Sequence, residues 1–268
     1  MSTVFQVGAG SGGMVVLDLL CREPSVRRIT LVEPDVYQSH NVVRHYFGHH
    51  DVGWQKADLA ARWVRQFRPD VELTSLAVDL TDPARQAEVE AAVAGCDVGV
   101  CAVDNEPAKY HFDAILRKHK KPWTLGEVLS GGIGGWVHVF RPGEACYGCV
   151  ASHLQRTVTT DNTPPPDYAN PQAAVPETRI PASKAAINVV ASAHASITLG
   201  VLTGADPGFT SLLVPLAKVD GVFAEAWRPF RFRIPRSPEC LICGGHHAPA
   251  GEDLDVALDQ ALARLAHE

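Results

Sequence analysis

The segment Gly8-Ala9-Gly10-Ser11-Gly12-Gly13 constrains this chain more than any other part of its sequence. It follows a short apolar run, residues 3–7, that predicts a strand. It also opens a stretch, residues 12–21, in which Met14, Val15, Leu17 and Leu19 fall at helical spacing. A strand, a glycine turn and a helix in that order begin a βαβ unit of the kind that cradles a nucleotide. Glycines at Gly8, Gly10 and Gly13 permit a tight turn and let backbone N–H groups at the helix start approach a phosphate closely. Residues 29–32 predict a second buried strand. Glu33 stands at its end, 20 residues beyond Gly13, where an acid can bond a ribose hydroxyl. At this level a nicotinamide dehydrogenase and an ATP-using enzyme fit equally well.

The alternation continues. Residues 54–67, 83–93 and 107–118 read as helices, and residues 71–77, 98–102 and 123–126 as strands. This order predicts an α/β fold with a Rossmann-like, mostly parallel sheet and helices on both faces. Beyond residue 127 the texture changes: residues 130–135 are glycine-rich, and the alternation over 135–140 predicts an antiparallel strand that continues the sheet. Residues 157–181 form a polar, proline-rich connection (Pro164, Pro165, Pro166, Pro171, Pro176, Pro181), longer than usual and of the kind that is commonly functional. Residues 184–202 predict a small-residue helix apolar enough to be buried. Short strands and turns follow through Cys243, and an amphipathic helix is expected at 253–265.

Composition narrows the function classes. The 268 residues carry 24 Lys+Arg against 30 Asp+Glu, a formal charge of −6, with no basic stripe to neutralise phosphates, which weighs against nucleic-acid binding. No run of about 18 apolar residues is evident, so no membrane span is expected. Residues 1–7 lead straight into the glycine turn rather than into a signal peptide, and the expected location is cytoplasmic.

Seven cysteines without an export signal are poor material for a disulfide framework. Four of them form two C-x-x-C pairs, Cys146/Cys149 and Cys240/Cys243, separated by 91 residues. Together they supply the four thiolates of a closed structural Zn²⁺ site that ties the middle of the chain to its end. A redox pair is the competing reading, but redox motifs open a helix, whereas residues 146–149 are expected to follow a strand. Cys240-Leu-Ile-Cys243-Gly-Gly reads as a knuckle, and His246 or His247 is an alternative fourth ligand.

The residues after the second strand separate the two nucleotide readings. Glu33-Pro-Asp35, Asn41-Val-Val-Arg44-His45, Asp51-Val-Gly53 with Lys56, and Asp104-Asn105 after the fourth strand form an ordered series ahead of the paired C-x-x-C. In these residues the chain resembles the ThiF/MoeB/HesA family, bacterial relatives of ubiquitin-activating enzymes, over about residues 4–245. The resemblance implies an ATP-dependent adenylyltransferase that converts the C-terminal carboxylate of a small ubiquitin-like modifier or sulfur-carrier protein, ending in Gly-Gly, into an acyl-adenylate. It implies a homodimer. It divides the chain into a Rossmann-like ATP-binding region, 1–145, and a continuation, 146–268, holding the crossover loop, the zinc site and the last strands and helix. By the same resemblance Arg44 and Lys56 hold phosphates, Asn41 positions them, Glu33 binds the ribose, Asp104 holds Mg²⁺, and Asp35 and Asn105 belong to the same nucleotide-binding set. Taken singly, Arg44 and Lys56 read equally as surface charges, and Asp104-Asn105 as a helix cap.

Three departures qualify the resemblance. His45 stands where the family usually has Gln. No cysteine lies between residues 151 and 239, where thioester-forming relatives place their nucleophile; Cys21, Cys96 and Cys101 read as core residues. The chemistry is therefore expected to stop at the adenylate, as in the MoeB-like branch. Relatives often carry an N-terminal arginine that reaches the neighbouring subunit's ATP; none is evident here, and Arg22 and Arg179 are the candidate substitutes. The competing functions are adenylation of a peptide precursor or a tRNA base, and a degenerate subunit that pairs with another activating chain.

Overall fold

The computed structural model describes residues 1–154 and 182–244. The proline-rich connection with Arg179, the expected terminal helix, and His246 and His247 lie outside the described residues. Strands β1 (Ser2–Val7), β2 (Val26–Val32), β3 (Glu72–Leu76), β4 (Val98–Cys101) and β5 (Trp123–Val128) run parallel in the spatial order β3-β2-β1-β4-β5. Strands β6 (Gly134–Phe140), β7 (Ser211–Pro215) and β8 (Phe230–Phe232) extend the sheet antiparallel beyond β5. The predicted reversal of direction after residue 127 is thus the β5–β6 hairpin, which pairs Trp123 with Phe140 and Val128 with Gly135.

Two cores follow from the period-2 alternation of the strands. On β1, Val4 joins one core with Ile29, Leu31, Val98 and Val100, covered by α1 (Gly13–Arg22), α2 (Lys56–Phe67) and α6 (Lys184–Leu202). Phe5 and Val7 point the other way. They join Val32, Cys101 and Leu125 beneath α3 (Gln86–Ala94), α4 (Glu106–Lys118) and α5 (Tyr147–His153). Helix α4 begins where Asn105 Oδ1 accepts the Ala108 N–H at 2.8 Å with Pro107 in the first turn, and α6 begins with Ser183 capping Ala186.

Helix α6 corrects the statement that no segment is long and apolar enough to span a membrane: its 19 residues reach a mean hydropathy of 1.6. Its place is in the core nonetheless. Ile187, Val190, Ala191, His194, Ala195 and Thr198 are buried. His194 Nε2 meets Thr124 Oγ1 at 2.9 Å and Thr198 meets the same hydroxyl at 2.7 Å, so the helix is fixed to β5 by polar bonds as well as packing.

The crevice of such a sheet lies where the strand order reverses, between β1 and β4. Gly8, at φ +95°, turns the chain there, and a Cβ on it would lie 2.4 Å from the Ala102 carbonyl oxygen. The turn and the end of β4 therefore touch backbone to backbone. Gly8→Ala combines a strained φ with this overlap and is expected to cost about 2–4 kcal/mol, read from urea denaturation. A loss under about 1 kcal/mol would show that the close approach is not needed.

Candidate functional site

The glycine turn is held from three directions. Gln6, fully buried on β1, donates from Nε2 to the carbonyls of Gly8 and Gly13, both at 2.9 Å. The Ala9 N–H donates to Glu33 Oε2 at 2.6 Å, and the Asp35 N–H donates to Glu33 Oε1 at 3.0 Å. At the carbonyl of the same residue, His45 Nε2 meets the Ala9 oxygen at 3.0 Å. A carbonyl only accepts, so Nε2 carries the proton and Nδ1 is left as an acceptor, buried and without a hydrogen-bond partner among the described residues.

These contacts leave the ligand side of the turn open. A Cβ on Gly10 would meet nothing within 4 Å, whereas one on Gly13, the first residue of α1, would lie 2.3 Å from the Gly8 carbonyl oxygen. No side chain caps α1 and no acid stands in its first turn; the Met14 N–H goes to the Gly10 carbonyl at 3.0 Å, and the positive end of the helix is left open to an anion.

Electrostatics reinforce this reading. His45 is pushed down to about 4, first by burial and then by the Lys56 charge, with smaller effects from Lys184 and Arg44, so the ring is neutral at pH 7. Tyr37 meets it edge-on and Phe47 stacks on it, with ring centroids at 5.0 and 5.3 Å. Burial raises the Glu33 carboxyl, opposed by Lys56 and by the two backbone donors. Lys56 is buried at the start of α2 and its Nζ pairs with Asp35 Oδ2 at 2.7 Å, which joins two of the residues predicted to face the nucleotide. Asn41 is buried and its side-chain oxygen accepts the Gln38 N–H at 2.9 Å, so its amide hydrogens are what it has left to offer a ligand. Arg44 is half-buried in the same segment, next to His45. Asp104 is exposed two residues beyond Ala102, at the end of β4, while Asn105 serves as the α4 cap, one of the two roles its sequence position allowed.

A second polar cluster lies on α4 and the β5–β6 hairpin. Lys109, only 4% exposed, pairs with Glu106 at 2.7 Å and Glu127 at 2.6 Å. Glu127 also meets His138 Nε2 at 3.2 Å, His138 Nδ1 meets Ser211 Oγ at 2.8 Å, and the Tyr147 hydroxyl donates to Glu106 at 2.7 Å. Burial pulls the Lys109 ammonium down, but the Glu127 and Glu106 carboxylates outweigh it and the net shift is upward. Sequence reading missed this cluster and missed Gln6. The available signals were the i, i+3 spacing of Glu106 and Lys109, and a lone amide in an apolar strand just before a glycine turn.

The four paired cysteines come together. Their sulfurs all lie within 4.8 Å of one another, with Cys146 at 3.8 Å from Cys149 and 3.6 Å from Cys240, and Cys149 at 3.4 Å from Cys243. A tetrahedron of thiolates about 2.3 Å from zinc has edges of about 3.8 Å, so the set fits a structural Zn²⁺. Contrary to expectation, Cys146 stands at the N-cap position of α5, so this C-x-x-C does open a helix. What sets it apart from a redox pair is the arrival of Cys240 and Cys243 beside it, which helix context alone does not reveal. Cys21, Cys96 and Cys101 are buried, and burial pushes each thiol up to about 12.

Residues 1–242 match the ThiF family. The chain belongs to the ThiF family. The SAMP-activating enzyme E1 of Haloferax volcanii is 31% identical over 150 residues, covering 56% of this chain and 53% of that one. Ubiquitin-like modifier-activating enzyme 5 of Arabidopsis thaliana is 25% identical over 161 residues, covering 53% of this chain and 36% of that one. This ThiF-family chain thus spans about half the length, or less, of the relatives it matches. Among solved structures, Escherichia coli MccB with ATP superposes with a TM-score of 0.66 at 17% identity, covering 91% of this chain and 67% of the other, a likeness of fold.

Two measurements follow for the ThiF-family site. Metal analysis of the purified protein is expected to return about one zinc per chain, and Cys243→Ser to lower both zinc content and melting temperature; a metal-free protein of unchanged stability would remove the structural role. His45 and His194, both pushed down to about 4, bind protons more readily unfolded than folded. Their contribution to stability is present above about pH 6.5 and is lost as pH falls toward 4. His45→Gln is expected to flatten that part of the stability profile, and an unchanged slope would rule out His45 as a source.

Proposed function

We propose that this ThiF-family chain adenylates the C-terminal carboxylate of a small ubiquitin-like protein ending in Gly-Gly, with ATP as the second substrate and pyrophosphate as the first product. The observation that carries the reading is the open glycine turn at the β1/β4 reversal, with Arg44 and Lys56 close enough to act on the His45 ring that clamps it. The match to modifier-activating relatives supports the choice of substrate class.

In this reading the triphosphate lies over Gly10 and the start of α1. A carboxylate that approaches about four negative charges is repelled, and Arg44 and Lys56 offset that repulsion. Lys56 exchanges Asp35 for a phosphate oxygen. The amide of Asn41 orients the phosphates. Each Glu33 oxygen accepts one backbone N–H and keeps a lone pair, which lets it take a ribose hydroxyl while still holding Ala9. The acyl oxygen attacks the α-phosphorus, the bond to the bridging oxygen breaks, and pyrophosphate departs with that electron pair. The exposed carboxylate of Asp104 suits Mg²⁺, which when bound neutralises charge on the phosphates.

The reaction stops at the adenylate. Cys21, Cys96 and Cys101 are buried as high-pKa thiols, the four remaining cysteines are the zinc set, and no cysteine lies between residues 151 and 239. A homodimer is part of the same proposal.

Pyrophosphate exchange into ATP is expected only when a Gly-Gly-ending modifier is present. Lys56→Ala and Asp104→Ala are expected to lower it by about 10²-fold or more. Exchange that ignores the modifier, or survives both substitutions, would defeat the proposal. A thiol-sensitive protein–modifier adduct would overturn the statement that the reaction stops at the adenylate.

A further inference from the structure

Lys184 is the first residue of α6, and its Nζ is buried without a hydrogen-bond acceptor among the described residues. The ammonium sits 4.8 Å from the centre of the Tyr46 ring, an attraction that favours the charge without using its N–H groups. Burial pulls this group below the ordinary lysine range, and no carboxylate among the described residues offsets it. A charged side chain in this state is far from the usual pattern, in which buried ammonium groups are paired.

The direction in which Lys184 faces is set by helical spacing. Residues 184, 187, 188 and 191 share one face of α6. On that face Ile187 lies 3.6 Å and Ala191 3.9 Å from where a Cβ on Gly12 would be, so this side of the helix covers the glycine turn. Asn188, one turn on from Lys184, also has a buried oxygen without a donor among the described residues. Tyr46 follows the Arg44-His45 pair directly, and His45, 6% exposed with an unpartnered Nδ1, feels the Lys184 charge. Two polar atoms unsatisfied among the described residues, Lys184 Nζ and His45 Nδ1, therefore lie at the junction of α6 and the 41–47 segment, with a third, Asn188 Oδ1, one turn along the helix.

Resting on the nucleotide reading above, we infer that Lys184 is a further phosphate ligand of this site, one that takes an oxygen beyond the α-phosphate and adds to the charge of Arg44 and Lys56 from the far half of the chain. Neither the glycine turn nor the ordered series after β2 includes it.

The test is the affinity of purified wild type, Lys184→Met and Lys184→Arg for ATP and for AMP, with the melting temperature of each protein without nucleotide. Lys184→Met is expected to weaken ATP by about 10- to 100-fold, the worth of a hydrogen bond to a charged group. AMP should change by less than about twofold, and Lys184→Arg should recover most of the ATP affinity. The nucleotide-free melting temperature of Lys184→Met is expected to hold or rise, because an unpaired buried charge has been removed. Wild type that prefers ATP, with the same preference in Lys184→Met, would overturn this inference and leave the adenylation reading standing. Equal losses of ATP and AMP, or a fall in melting temperature, would make Lys184 a structural residue and also overturn it. Wild type that binds neither nucleotide would remove both readings.

Discussion

The backbone of Ala9 is the point on which the site depends. Its N–H goes to a carboxylate at the end of β2 and its carbonyl to an imidazole from the segment that follows, while Gln6 holds the carbonyls on either side of the turn. A glycine-rich turn has more unfolded conformations to lose than any other sequence, so it needs external anchors to present a single surface. Here the anchors are buried and the carboxylate contributes charge-assisted bonds, which are stronger than neutral ones. The outer side of Gly10 and the head of α1 are left uncommitted by these anchors, so the same contacts that rigidify the turn also orient it toward a ligand.

Much of this architecture was legible from local pattern. Strand and helix periods gave the βα order, the alternation over 135–140 gave the antiparallel extension, and the paired C-x-x-C gave the thiol cluster, because each is written in residues near one another or in a spacing with few physical uses. The roles of Asn41, Arg44 and Lys56 toward a nucleotide were implied by resemblance alone. What local pattern does not carry is which partner a polar side chain finds across the fold. Nothing at position 45 announces that a ring will reach back 36 residues to Ala9, and nothing in β5 announces that Glu127 will gather Lys109 and His138. The helix that opens at Cys146 was missed for a similar reason: seven residues are too few for a periodicity to show, and the turn is stabilised by packing of Tyr147 and Val150 into the core.

The thiol cluster has its own architectural meaning. Cys146 and Cys240 are 94 residues apart, so a metal there closes a long loop that contains α6, β7 and β8. Closing such a loop removes many unfolded conformations at once, at a cost that grows only slowly with its length. The helix that brings Lys184 to the glycine turn lies inside this loop. Its position therefore depends on contacts at both ends of the segment as well as on its own packing against α1 and β5.

Gln6 ties the site to the pleat of β1. Successive residues of a strand face opposite sides, and here Val4 enters one core, Phe5 the other, and Gln6 points beneath the turn. Parity thus couples three assignments that would otherwise be independent. A single inserted or deleted residue in this six-residue strand would exchange both cores and turn the amide away from the glycine loop in the same event. The site cannot drift relative to the core by small steps along this strand, so change in such a chain is channelled into the loops that approach the turn from outside.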